Sequence, residues 1–190
     1  MKIRSFLAFE LPEEFKKIVS RASGEMKKSP LNVRWVKVGN IHLTVVFIGD
    51  MATEQLDPMG KNISEVCQEH APFNIAINGA GVFSSRRNPR VLWIGLDGDI
   101  DRMAAFRDAL QNKLKPFGIK EEKRLFNPHL TLGRFRKGAE SGVHLEDLLL
   151  KYKDLASPER ALRELALFKS DLKPGGVVYT KLNAWPLDGR

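Results

Sequence analysis

Two short stretches of the chain hold residue types that could move protons at phosphorus. Residues 41–49 read IHLTVVFIG and residues 128–135 read PHLTLGRF. Only four histidines and four threonines occur in the chain, and two of each fall in the triplets His42-Leu43-Thr44 and His129-Leu130-Thr131. In a strand, residues two apart share a face. His42 and Thr44 would then point one way, as would His129 and Thr131, while Leu43 and Leu130 turn toward apolar cores. Val45 and Phe47 are expected to continue the face of Leu43, which makes Phe47 a core residue. If the two strands were adjacent, two imidazoles and two hydroxyls would converge on one cleft. In-line displacement at phosphorus needs a base for the nucleophile's proton and an acid for the departing oxygen. Histidine, with an ordinary pKa of about 6.5, serves either role. Threonine hydroxyls can donate to the nonbridging oxygens as charge builds there. No acidic residues stand at ligand spacing around either histidine, and two histidines alone make a poor zinc site. Neither a metal nor another cofactor is expected.

One such triplet alone is weak evidence; its recurrence at matching places is stronger, so the elements around it matter. IRSFLAFEL (3–11), RVLWIGLDG (90–98) and GVVYTKLNA (176–184) read as strands. After Pro12, Phe15, Ile18, Val19, Ala22 and Met26 keep helical spacing. After Asp99, a candidate N-cap, Ile100, Met103, Phe106, Leu110 and Leu114 do the same. Each helix leads to a triplet strand: Phe6 precedes His42 by 36 residues and Val91 precedes His129 by 38. A second helix follows each triplet, one opening at Asp57-Pro58 and one marked by Leu145, Leu148 and Leu149. Strands at 73–83 and 160–168 close the two series. The order strand, helix, triplet strand, helix, strand therefore runs twice. It predicts an α+β fold of duplicated β-α-β-α-β lobes with antiparallel sheets facing a central cleft. Residues 1–190 would form one bilobal domain, with a first-lobe repeat over about 1–89 and a second over about 90–190. The loop 136–143, RKGAESGV, is the expected mobile stretch. His70 and His144 have no counterpart in the repeat and are expected at the surface.

Composition narrows the setting. A chain of 190 residues, 43% hydrophobic and 28% charged, is long enough to bury a core without staples. The single cysteine, Cys67, excludes an intramolecular disulfide and any zinc site built on several cysteines. The N-terminal apolar stretch is too short for a signal segment, and no run approaches the length of a membrane span. A cytoplasmic location, a monomer and no membrane partner are expected. The net charge of +8 favours encounter with anions such as RNA, nucleotides or phosphate esters, although a merely basic surface would give the same number.

With these residues in place, the chain resembles the two-histidine phosphoesterase superfamily. Within it, the similarity is to the RNA 2′,3′-cyclic phosphodiesterases, also called 2′-5′ RNA ligases. The likeness is carried by RSFLAFELP, VRWVKVGNIHLTVVFIGD, FNPHLTLGRF and LALFKSDLKPGGVVYTKLNAWPL, and it covers almost the whole chain. It implies metal-free hydrolysis of terminal 2′,3′-cyclic phosphates on RNA to 2′-phosphates, with RNA ends or nucleoside 2′,3′-cyclic phosphates as partners. It also implies possible reverse joining through a 2′-5′ linkage. By resemblance, His42 is the proton donor, His129 the proton acceptor, and Thr44 and Thr131 hold the phosphate. The residues alone leave the order of the two histidines open. Arg134 is a further candidate phosphate ligand, since a guanidinium binds phosphate bidentately. Strict alternation sets it on the far face, so it reaches the cleft only if the strand bulges or ends near Gly133. Trp35 could stack on a base or simply pack, and Arg86, Arg87 and Arg90 could meet an RNA backbone or line a solvated loop. A nucleotide-binding module without turnover, or an enzyme acting on 2′-5′ oligonucleotides, fits the same residues.

Overall fold

A computed structural model of the chain describes residues 1–136 and 142–189. Most of the loop expected to be mobile, residues 137–141, therefore lies outside the described residues. Among those described, the elements run β1 (Lys2–Phe9), α1 (Glu13–Met26), β2 (Val33–Trp35), β3 (Leu43–Ala52), α2 (Leu56–Gln68), β4 (Phe73–Ser85), β5 (Asn88–Gly98) and α3 (Ile100–Leu114). They continue with β6 (His129–Phe135), α4 (Gly142–Lys151), β7 (Arg160–Leu162), β8 (Glu164–Lys173) and β9 (Gly176–Pro186). None of these helices is long and apolar enough to cross a membrane.

The strands form one antiparallel sheet in the order β7-β4-β5-β6-β3-β1-β8-β9, with β2 also paired to β6. The order is symmetrical about the junction of β6 and β3. On each side stand a triplet strand, the opening strand of its repeat, a longer later strand and an edge. The neighbour relations cross the sequence boundary near residue 89. From the first half, β4 pairs with β5; from the second half, β8 and β9 extend the side begun by β1. The stretch 160–168, expected as one strand, is two. Its first part, β7, pairs with β4, and its second, β8, pairs with β1. At Arg163, between the two strands, the chain changes partner, and hydrophobic periodicity carries no record of partners.

The helices cover the face of the sheet to which Leu43 and Leu130 point. Phe15, Val19, Ala22 and Met26 of α1, Met59, Ile63, Val66 and Cys67 of α2, and Met103, Phe106, Leu110 and Leu114 of α3 are buried. The three- and four-residue spacing turns each set to one side of its helix. With Leu7, Phe9, Leu92 and Leu132 of the strands they make the main core. Full burial of such a side chain stabilises the fold by about 1.5–3 kcal/mol. Asp99 occupies the N-cap position of α3, but its side chain makes no capping bond to a backbone N–H of that helix. Its backbone, at φ −69° and ψ 41°, lacks the extended shape that turns a capping side chain over the first turn. The carboxylate accepts instead from the Asn74 N–H and from Arg102, both at 2.8 Å, and so ties the start of α3 to β4. His70 is not a free surface residue. It is half-buried, its Nδ1 is 2.8 Å from the Val66 carbonyl, and its ring meets Phe106 edge-on at 5.0 Å. His144 is exposed, as expected.

Candidate active site

The strands that carry the two triplets pair at one position, Leu43 with Leu130. Carried one residue either way, antiparallel register sets His42 opposite Thr131 and Thr44 opposite His129. The triplets are thus neighbours, related by a local two-fold through the leucine pair. Both leucines are fully buried in the main core, and the four polar residues are half-buried on the other face. The alternation read from each HLT stretch accounts for this division.

Both imidazoles are held alike. His42 Nδ1 lies 2.8 Å from the Asn40 carbonyl, and His129 Nδ1 lies 2.8 Å from the Asn127 carbonyl. A carbonyl oxygen only accepts, so Nδ1 donates and Nε2 remains available for proton exchange. Asn40 ends a short 3-10 turn, Val38–Asn40, which its side-chain amide fastens to the Val177 carbonyl of β9 at 2.9 Å. Around the rings the two sides differ. His42 stacks on Phe6 at 4.6 Å and meets Tyr179 edge-on at 5.2 Å, with Phe168 behind at 6.4 Å. His129 meets Phe83 edge-on at 4.6 Å. Burial pushes both histidines below the ordinary imidazole pKa, while their carbonyl partners pull the other way. The charge of His129 lowers His42 a little further, and the Arg134 guanidinium does the same to His129.

A bulge follows each triplet. Between β1 and β3, Ala8 faces Thr44, Leu7 faces Val46 and Phe6 faces Phe47, so Val45 is the extra residue. Between β5 and β6, Trp93 faces Thr131, Leu92 faces Gly133 and Val91 faces Arg134, so Leu132 is extra. Val45 and Leu132 each stand three residues after their histidine, and both are buried. The residues five after each histidine, Phe47 and Arg134, are thereby returned to the histidine face. For Arg134 the bulge meets the condition that strict alternation imposed, and its charge is felt by Tyr179 as well as His129. For Phe47 it overturns the expectation of a core residue. The ring is 54% exposed, with the Arg4 guanidinium 5.0 Å above it. Val45 is buried as expected, but Val46 is buried too, as a bulge requires.

The remaining candidates divide. Trp35 faces Gly133 and packs against the main core. Arg86, Arg87 and Arg90 are exposed around the turn that joins β4 to β5. The aromatic surround of the histidines was not legible beforehand. Phe6 had a partial signal, since β1 is apolar on both faces and so must be covered on both. Tyr179 had none, because its place depends on β9 lying beyond β8.

The chain matches the model of the 2′-5′ RNA ligase superfamily over residues 12–174. It is 31% identical over 187 residues to an RNA 2′,3′-cyclic phosphodiesterase of Methanothermobacter thermautotrophicus, a match that spans 98% of this chain and 100% of that one. A Thermus thermophilus protein of known structure superposes with a TM-score of 0.79 at 25% identity, over 99% of this chain and 100% of that one. LigT of E. coli, solved with 3′-AMP, superposes with a TM-score of 0.72 at 24% identity, over 98% and 99% of the two chains, a likeness of fold. Sequence and fold agree over nearly the whole length, and the chain belongs to the 2′-5′ RNA ligase superfamily.

Proposed function

We propose that the protein is an enzyme that hydrolyses terminal 2′,3′-cyclic phosphates of RNA to 2′-phosphates, without a metal. The observation that carries this reading is the pair of triplets set side by side, with each Nδ1 bonded to a backbone carbonyl so that Nε2 is left to exchange a proton. The name borne by the relative from Methanothermobacter supports the substrate class. In the proposed step the water oxygen bonds to phosphorus as the bond to the 3′ oxygen breaks. His129 takes the water proton and His42 gives one to the 3′ oxygen. The two histidines end with their protonation exchanged, and solvent resets them. Thr44 and Thr131 donate to the nonbridging oxygens, and Arg134 pairs with their charge. The guanidinium also opposes protonation of His129, which suits the group that must begin neutral. With an RNA 5′-hydroxyl in place of water, the same step joins two ends through a 2′-5′ linkage. Dilute aqueous conditions favour hydrolysis.

The test is incubation with a nucleoside 2′,3′-cyclic phosphate and with a cyclic-ended oligonucleotide, in excess chelator, with the product identified. A 2′-phosphate is expected. No turnover of either substrate refutes the activity, loss of turnover on chelation refutes the metal-free reading, and a 3′-phosphate refutes the assigned leaving oxygen. His42→Ala and His129→Ala should each cost about 10²–10⁴ in kcat, the range for a positioned acid or base, while the melting transition persists. Near-normal turnover in either variant contradicts its role.

A further inference from the structure

The net charge of +8 is not spread evenly along the chain. Residues 26–49, 70–96 and 123–139 hold twelve of the 31 Lys and Arg residues and none of the 23 Asp and Glu residues. The rest of the chain is therefore net acidic. The three stretches include both triplets, and the sheet brings them together. β2, the end of β6 and the start of β5 lie side by side, with Arg34 opposite Arg134 and Arg134 opposite Val91. Directly opposed residues share a face of the sheet, so Arg34 lies with Arg134 on the histidine face. Arg90 stands next to Val91. Phe83 faces Val91 and Ser84 faces Pro89, so Arg90 is the extra residue of a further bulge, a device that re-aims a side chain. Beyond it, Arg86 and Arg87 make the turn from β4 to β5, and all five arginines are exposed. Like charges set directly opposite destabilise a sheet, and no carboxylate offsets them here. Among the described residues the arginines in ion pairs are Arg21, Arg102, Arg107, Arg124 and Arg160.

We infer that this arginine end of the sheet binds the sugar-phosphate backbone of the RNA strand whose cyclic end lies in the site. The inference rests on the phosphodiesterase reading. A mononucleotide offers one phosphate, which Arg134 answers. The flanking arginines continue from Arg134 and suit an anion with charges in series, which a strand of RNA supplies. With the reacting phosphate on Arg134, the diester phosphates that precede it meet Arg34 and Arg90, and the turn Arg86–Arg87 lies further out. A guanidinium takes phosphate oxygens bidentately, and such contacts hold a strand without reading its bases. The surface therefore selects an RNA end over a mononucleotide that carries the same reacting group, whatever the sequence of the strand.

Three substrates test this: adenosine 2′,3′-cyclic phosphate, a tetranucleotide ending in that group, and the same tetranucleotide with uncharged methylphosphonate linkages. The measurement is kcat/KM for each across a range of salt. The wild type should prefer the charged tetranucleotide to both others by about tenfold or more at low salt. Two neutralised phosphates should also make its log–log salt dependence steeper than that of the uncharged strand by about 1.4. The double variant Arg34→Gln/Arg90→Gln should bring the preference close to one and remove the extra slope. Arg90→Gln alone, which leaves β2 untouched, should lower both in the same direction. Equal use of strand and mononucleotide by the wild type overturns the inference and leaves the activity standing. So does a preference that survives uncharged linkages, or one unmoved in both variants. Turnover of no substrate by the wild type overturns the phosphodiesterase reading itself, and the backbone site with it.

Discussion

Replacing Gly133 with alanine tests the bulge that brings Arg134 to the histidine face. Gly133 is buried between Trp35 of β2 and Leu92 of β5. A Cβ at this position would run into Val33 Cγ1 and stand 3.0 Å from the Arg34 carbonyl oxygen and 3.3 Å from Trp35 Cα. Val33 is buried and β-branched, so its side chain has little freedom to swing aside. The backbone of β2 must give instead. Overpacking of this kind costs about 1–3 kcal/mol. At roughly 2–4 °C per kcal/mol for a chain of this size, the melting temperature should fall by about 2–12 °C. Because Arg34 pairs with Arg134, a displaced β2 also moves the guanidinium, and KM for a cyclic phosphate should rise several-fold. Val33→Ala removes the atom that is struck, so the double variant should be more stable than the two single losses predict, with a coupling of about 1 kcal/mol or more. Thermal melts of the four proteins, with steady-state kinetics on each, measure both effects. A melting temperature unchanged in Gly133→Ala, or losses that simply add, would refute the reasoning.

Three further outcomes are expected. The acid must start protonated and the base neutral, and burial lowers both histidines, so kcat/KM should peak below about pH 6.5; a plateau reaching pH 8 would contradict this. For stability the sign is that of depressed groups. The unfolded chain binds more protons below about pH 6.5, so the histidines' contribution is full above that pH and is lost as pH falls through their folded values. Arg134→Ala should lower kcat/KM by about 10–100-fold, from the roughly 1.5–3 kcal/mol of a hydrogen bond to a charged group, and should shift the acid limb of the pH profile upward. Arg134→Lys should recover the limb but not the full rate, since it restores charge without the bidentate fork; an unmoved limb in the alanine variant would separate Arg134 from His129. Gly24 is exposed within α1, with nothing among the described residues within 4 Å of its Cβ position, so Gly24→Ala should stabilise the protein by about 0.5–1 kcal/mol in a denaturant titration, and a loss of stability would contradict the open surroundings.

The sequence by itself determined the local parts of this protein. Alternation in HLT set leucine toward the core and His and Thr away from it, and that needs only the period of a strand. The spacing of Phe15, Val19 and Met26, or of Met103, Phe106 and Leu110, marked helices because a helix repeats every 3.6 residues. Recurrence of the same series of elements announced two matched halves. Tertiary structure decided what depends on neighbours. That Leu43 pairs with Leu130, that RALRELALF divides between two edges, and that Val45 and Leu132 bulge are facts about partner strands. A bulge reverses the face of the residues that follow it, which is why Phe47 left the core and Arg134 turned to the histidine face. The symmetry of the triplets hid any difference between the histidines. The difference comes from β9, which reaches His42 through Tyr179, while β7 is too short to make a matching wall beside His129.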